Sequence, residues 1–229
     1  MTEALTLKTL AAATRTLTRK HRELAHVYET YGAPPLWDRK PGFATLLHII
    51  LEQQVSLASA KACFDKLTAR IGTVSPENIL TLDDGEMKQV GFSRQKTAYA
   101  RHLAEAVLQK RLDLNELRSL PDLEAKARLI DLKGVGEWTS DIYLLMALLR
   151  PDVMPRGDIA LHAAWQNLSG QPRPSADEFI KVAERWRPFR SVAARLLWHY
   201  YLSERAGRHK SGARATAAST EQVLLPIQA

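Results

Sequence analysis

The chain has 229 residues, 45% of them hydrophobic and 25% charged, which is enough apolar content for the core of one large domain or two smaller lobes. Its formal net charge of +7 favours a polyanionic partner, because Lys and Arg near phosphates release condensed counterions. One cysteine, Cys63, excludes an intrachain disulfide and a Cys-built zinc or iron–sulfur centre; its apolar helical setting implies a buried, inert thiol.

The start of the chain, MTEALTLKTLAAATRTLTRKH, has no continuous apolar run, and nothing later approaches the roughly 18 apolar residues of a membrane span. The expectation is a soluble, cytosolic, monomeric protein with no membrane partner. Helical periodicity then dominates, with no strand-like alternation, so the fold class is all-α. Helices are expected over 4–31, 42–51, 57–70, 84–90, 93–110, 122–131, 137–149, 159–168, 175–186 and 189–204. Ser93 is the expected N-cap of the fifth, which carries Tyr99, Leu103, Ala106 and Val107 on one face. Proline and glycine punctuate the joints, as at Pro34-Pro35, Gly91, Pro121 and Pro151. A single domain over 1–205 is expected to give way to a basic, flexible tail over 206–229, with a closing apolar run, Val223–Ile227, that has no evident docking place.

The most informative stretch is Leu129-Ile130-Asp131-Leu132-Lys133-Gly134-Val135-Gly136-Glu137-Trp138-Thr139. One helix leads in, Gly-Val-Gly turns, and a second helix starts at once. The glycines permit backbone angles denied to other residues and close approach of another surface. The first N–H groups of the second helix are unpaired and partly positive, which suits a phosphate. Taken alone, a Gly-x-Gly is better explained by turn geometry. Further on, Asp158 follows Pro155-Arg156-Gly157 and opens a helix; on spacing alone it is an N-cap.

Five blocks in order resemble the helix–hairpin–helix DNA glycosylases of 3-methyladenine glycosylase II type, over residues 35–204: Ile50–Ser56, Gly91–Lys96, Gly134–Thr139, Gly157-Asp158 and Trp186–Ser191. The resemblance implies a two-lobed helical fold with a cleft between lobes and a helix–hairpin–helix over about 122–149. It implies excision of alkylated purines from double-stranded DNA by base flipping and hydrolysis of the N-glycosidic bond. Asp158 would be the catalytic carboxylate, facing the positive charge that develops on the sugar. Trp138 and Trp198 match positions that surround the flipped base, where electron-rich rings favour a cationic purine. Two family tyrosines align instead with Ile142 and Ile159, which makes the pocket less aromatic than in larger members. Trp165 and Trp186 fall to the core. Only residues 1–34 precede the resemblance and they read as helix, so the β-rich N-terminal domain of larger members is not expected, and Trp37 is a candidate for the pocket residue that domain supplies.

Gln53 and Gln54 match the loop that wedges into the base stack. Lys133, Gly134, Val135, Gly136 and Thr139 match the backbone-gripping hairpin. The carbonyls of Ile130, Leu132 and Val135 match the ligands of a structural K⁺ or Na⁺; no cofactor is implied for catalysis, and no iron–sulfur cluster. Trp138 stands where bifunctional members carry a Schiff-base lysine, so no abasic-site lyase activity is expected. His199 could reach DNA or be hydrogen-bonded within the fold. The competing reading is a non-catalytic helix–hairpin–helix DNA-binding module, which would need neither Asp158 nor the aromatic positions.

Overall fold

The computed structural model describes residues 3–213, and among them there are helices and turns but no strand. The chain divides into two compact units. One comprises residues 38–150 with the first residues of the chain; the other joins residues 5–37 to residues 151 onward.

In the second unit, α1 (Leu7–Lys20) and α2 (Arg22–Tyr31) replace the single helix expected over 4–31. Thr6 and Thr9 form a capping box at the start of α1, and Leu10, Ala13, Thr14 and Leu17 form its buried stripe. His21 breaks the run with an extended backbone (φ −131°, ψ 107°). That break lets Leu24 and Val27 of α2 enter the core on a new axis; no Pro or Gly announces it in the sequence. α10 (Ile159–Ser169), α11 (Ala176–Ala183) and α12 (Arg190–Ala213) complete the unit. Trp165 and Trp186 meet edge to face at 5.4 Å in its core, as expected. α12 continues to Ala213, past the expected tail boundary at 206; the Val223–Ile227 run lies outside the described residues.

The first unit is built from α3 (Phe43–Glu52), α4 (Leu57–Ile71), α5 (Pro76–Leu80), α6 (Asp84–Gln89), α7 (Arg94–Leu108), α8 (Asp122–Ile130) and α9 (Glu137–Ile142). α3 is its central helix, with Leu46, Leu47, Ile49, Ile50 and Leu51 all buried. Its buried Glu52 is held by a two-pronged contact from Arg39, at 2.8 and 3.1 Å. Ser93 caps α7 through the Lys96 N–H, as expected. The helix expected over 137–149 is α-helical only to Ile142. A π turn over Tyr143–Ala147 follows and buries every one of its side chains. Buried Arg150 closes the unit by donating to the carbonyls of Leu117, Arg118 and Leu120. Cys63 is half-buried rather than buried, and burial pushes its thiol up, which keeps it unreactive.

Candidate active site and nucleic-acid interface

Each unit carries part of the candidate machinery. In the second, Asp158 is the N-cap of α10: its Oδ1 accepts the Leu161 N–H at 3.0 Å. The same oxygen accepts the indole N–H of Trp198 at 3.2 Å. Asp158 and Trp198 are each 1% exposed. A carboxylate so deeply buried is costly unless bonded, and here a helix start and an indole both donate to it. The N-cap expected from the sequence is thus present, on a carboxylate that also holds an indole.

Trp37 stands edge-on to Trp198, ring centres 6.4 Å apart, and edge-on to His199. It is half-exposed and adopts φ 47°, a left-handed conformation rare for a bulky side chain. The preceding carbonyl, of Leu36, accepts from the fully buried Arg195 at 2.7 Å, which fixes the turn. The structure thus gathers Asp158, Trp198 and Trp37. Trp198 is sealed and directed at the carboxylate, and Trp37 keeps the more open ring. His199 donates from Nε2 to the Tyr31 carbonyl at 3.0 Å, the hydrogen-bonded alternative. The loop leading to Asp158 is anchored on α12: Ser191 Oγ accepts the Val153 N–H at 2.9 Å, and Arg190 pairs with Asp152.

In the first unit, α8 ends at Ile130 and α9 begins after Gly136. The Val135 N–H donates to the Leu132 carbonyl at 3.0 Å to close the hairpin. Gly134 has φ +89°, and a Cβ there would lie 2.2 Å from the Tyr99 ring. Gly136 differs: a Cβ there would meet no atom of the chain within 4 Å. Lys133 and Gly136 are exposed and Gly134 is half-exposed, whereas Val135, Trp138 and Thr139 are buried. Thr139 does not present its hydroxyl outward, because its Oγ1 accepts from Gln53 Nε2 at 2.7 Å. Tyr143, the neighbour of the aligned Ile142, is fully buried, with its hydroxyl accepting the Gly42 N–H.

The two loop glutamines separate. Gln53 Nε2 also donates to the Gly134 carbonyl at 2.8 Å, so its amide belongs to the hairpin. Gln54 is exposed, with φ 56°. The sequence alone assigns no role to Lys96. Its Nζ donates to the carbonyls of Leu51 and Gln53, at 2.6 and 3.0 Å, and burial lowers the pKa of this ammonium. A lysine three positions after a helix cap, and otherwise on a packed face, was the available signal.

Residues 47–188 match the HhH-GPD superfamily base excision DNA repair protein family. Among relatives, DNA-3-methyladenine glycosylase 1 of Schizosaccharomyces pombe is 30% identical over 70% of this chain and 73% of its own length. YfjP of Bacillus subtilis is 26% identical over 76% of this chain, and the match spans only 64% of that protein. A solved structure of the Schizosaccharomyces pombe 3-methyladenine DNA glycosylase Mag1, in complex with abasic DNA, superposes with TM-score 0.75 at 25% identity, covering 85% of this chain and 97% of that one. With more than half its residues matched to one family, a fold in common with a solved relative, and the hairpin and buried carboxylate in the expected order, the chain belongs to the HhH-GPD superfamily of base excision DNA repair proteins.

Proposed function

We propose that this protein is a monofunctional DNA glycosylase that releases alkylated purines, of the 3-methyladenine and 7-methylguanine kind, from double-stranded DNA. The observation that carries this reading is the buried Asp158 carboxylate, held by the start of α10 and by the Trp198 indole. A module that only grips DNA has no use for a carboxylate kept at this cost. As the glycosidic bond breaks, positive charge builds on the sugar, and a fixed anion stabilises it without reorganising. An N3- or N7-alkylated purine is already cationic and leaves without a strong general acid.

The hairpin supplies a phosphate seat at Lys133, Gly134 and Gly136, where the opening N–H groups of α9 face an approachable glycine surface. Gln54 is the wedge, and Gln53 is not. Trp37, whose ring lies beside Trp198 near the carboxylate, is the ring offered to the flipped base. A structural K⁺ or Na⁺ fits the carbonyls of Ile130, Leu132 and Val135. These are all-oxygen donors beside the C-terminal end of α8, and a carbonyl already accepting one N–H, as Leu132 does, keeps a second lone pair. The cation would tie the hairpin to a DNA phosphate. Trp138 offers no amine for a Schiff base, which supports hydrolysis without strand cleavage.

The test is base release from duplexes carrying single 3-methyladenine, 7-methylguanine, hypoxanthine or ethenoadenine lesions. Wild type should release alkylpurines, leave abasic strands intact until alkali is added, and form no borohydride-trapped adduct. Asp158→Asn, which keeps shape and capping, should lose release by about 10³-fold or more while still binding DNA. Near-normal release by the variant would sink the reading, and a trapped adduct would sink its monofunctional part.

A further inference from the structure

The wedge loop and the hairpin are joined more closely than their separate roles require. Both N–H bonds of the Gln53 amide are used, one on the Gly134 carbonyl and one on Thr139 Oγ1. Its backbone carbonyl is held by Lys96 Nζ, together with that of Leu51, and its N–H donates to Ile50. α7 presents Lys96 to this loop and, one turn on, Tyr99 to the underside of Gly134. Directly after this fixed residue the chain turns left-handed, leaving Gln54 and Val55 exposed. The loop cannot leave the hairpin without breaking both bonds of the Gln53 amide.

We infer that Gln53 and Lys96 are positioning residues that lock the wedge loop to the hairpin, so that seating the hairpin on a phosphate and driving Gln54 into the base stack are one thermodynamically coupled event. This rests on the glycosylase reading. Its physical content is that energy gained at the backbone, which carries no sequence information, is delivered to the opening of the stack. A loose loop would let the protein bind DNA tightly without opening it.

The experiment uses the full chain and a duplex with 2-aminopurine beside an abasic-site analogue, whose fluorescence rises when the stack opens. Affinity for undamaged duplex and a melting curve are measured alongside. Gln53→Met keeps length and loses both donors. It should reduce stack opening by about tenfold, as expected for the loss of two modest hydrogen bonds, and lower affinity for undamaged duplex far less. Gly136→Ala and Gln54→Ala should have non-additive effects on opening in the wild-type background and additive effects in the Gln53→Met background. Lys96→Met, which releases the Gln53 carbonyl, should repeat the pattern, and Lys96→Arg should restore part of it. If Gln53→Met fails to fold, the Lys96→Met cycle decides. Wild-type opening in the variants, or the same non-additivity in every background, overturns the inference and leaves the glycosylase reading standing. Failure of wild type to open any duplex overturns that reading itself.

Discussion

The bond between Trp198 and Asp158 makes a prediction that stacking on the base would not. Trp198→Phe keeps an aromatic ring and removes only the indole N–H, 3.2 Å from Asp158 Oδ1, and the larger ring system. Both partners are 1% exposed, so water cannot replace the lost donor. A hydrogen bond to a charged group is worth about 1.5–3 kcal/mol, which converts to roughly 10- to 150-fold in the rate of the chemical step. The carboxylate keeps its bond from the Leu161 N–H, so the loss should stop well short of that in Asp158→Asn. The assay is single-turnover release of 7-methylguanine at saturating enzyme, with a melting curve to separate the roughly 1–3 kcal/mol of packing that a smaller ring can forfeit. The discriminating step is the double variant. In an Asp158→Asn background, Trp198→Phe should cost almost nothing, because the charge it serves is gone. A stable Trp198→Phe protein with near-normal release, or an undiminished extra loss in the Asn background, would refute the reasoning and return Trp198 to simple core packing.

The two hairpin glycines should fail in different ways. Gly134→Ala drives a methyl group into the Tyr99 ring at a left-handed φ, and should destabilise the protein by about 2–3 kcal/mol, partly recovered by Tyr99→Ala. Gly136→Ala meets open space, so its melting curve should match wild type while DNA affinity falls for every sequence alike; unchanged affinity would remove the phosphate from this position. Stability should also fall on acidification through His162. Burial lowers its pKa below the ordinary 6.5, chiefly by desolvation, and its Nδ1 donates to the Pro174 carbonyl. A depressed folded-state pKa gives stability that is present above the unfolded value and lost as pH drops beneath it, so His162→Gln should flatten the melting-temperature decline between about pH 7 and 5.

Much of this architecture is legible in the sequence because it is local. Ser93, Asp158 and the Gly-Val-Gly turn are read correctly from cap and turn chemistry within a few residues. α5 falls outside the expected helices, although Ser75-Pro76, a cap followed by proline at the first helical position, is a local signal for it. What escaped depends on partners distant in the chain. Periodicity cannot tell Gln53 from Gln54, because the choice is made by Gly134 and Thr139. Nothing near Trp37 announces a left-handed bulky residue; buried Arg195 holds it from the far end of the sequence. The break at His21 and the π turn after Ile142 likewise answer to packing, not propensity.

The unit holding Asp158 is assembled from both ends of the chain, with residues 38–150 threaded between them. Its carboxylate is sheltered by Trp198, and Trp37 is fixed by Arg195, so neither is in place until nearly the whole sequence has left the ribosome. The middle unit, apart from the first few residues of the chain, is one continuous stretch, 38–150, and can condense first. During synthesis, therefore, a nascent chain can acquire its hairpin before it owns a sheltered carboxylate. A truncated or nicked molecule that loses α12 is left in that same condition, with its hairpin formed and Asp158 stripped of its indole partner.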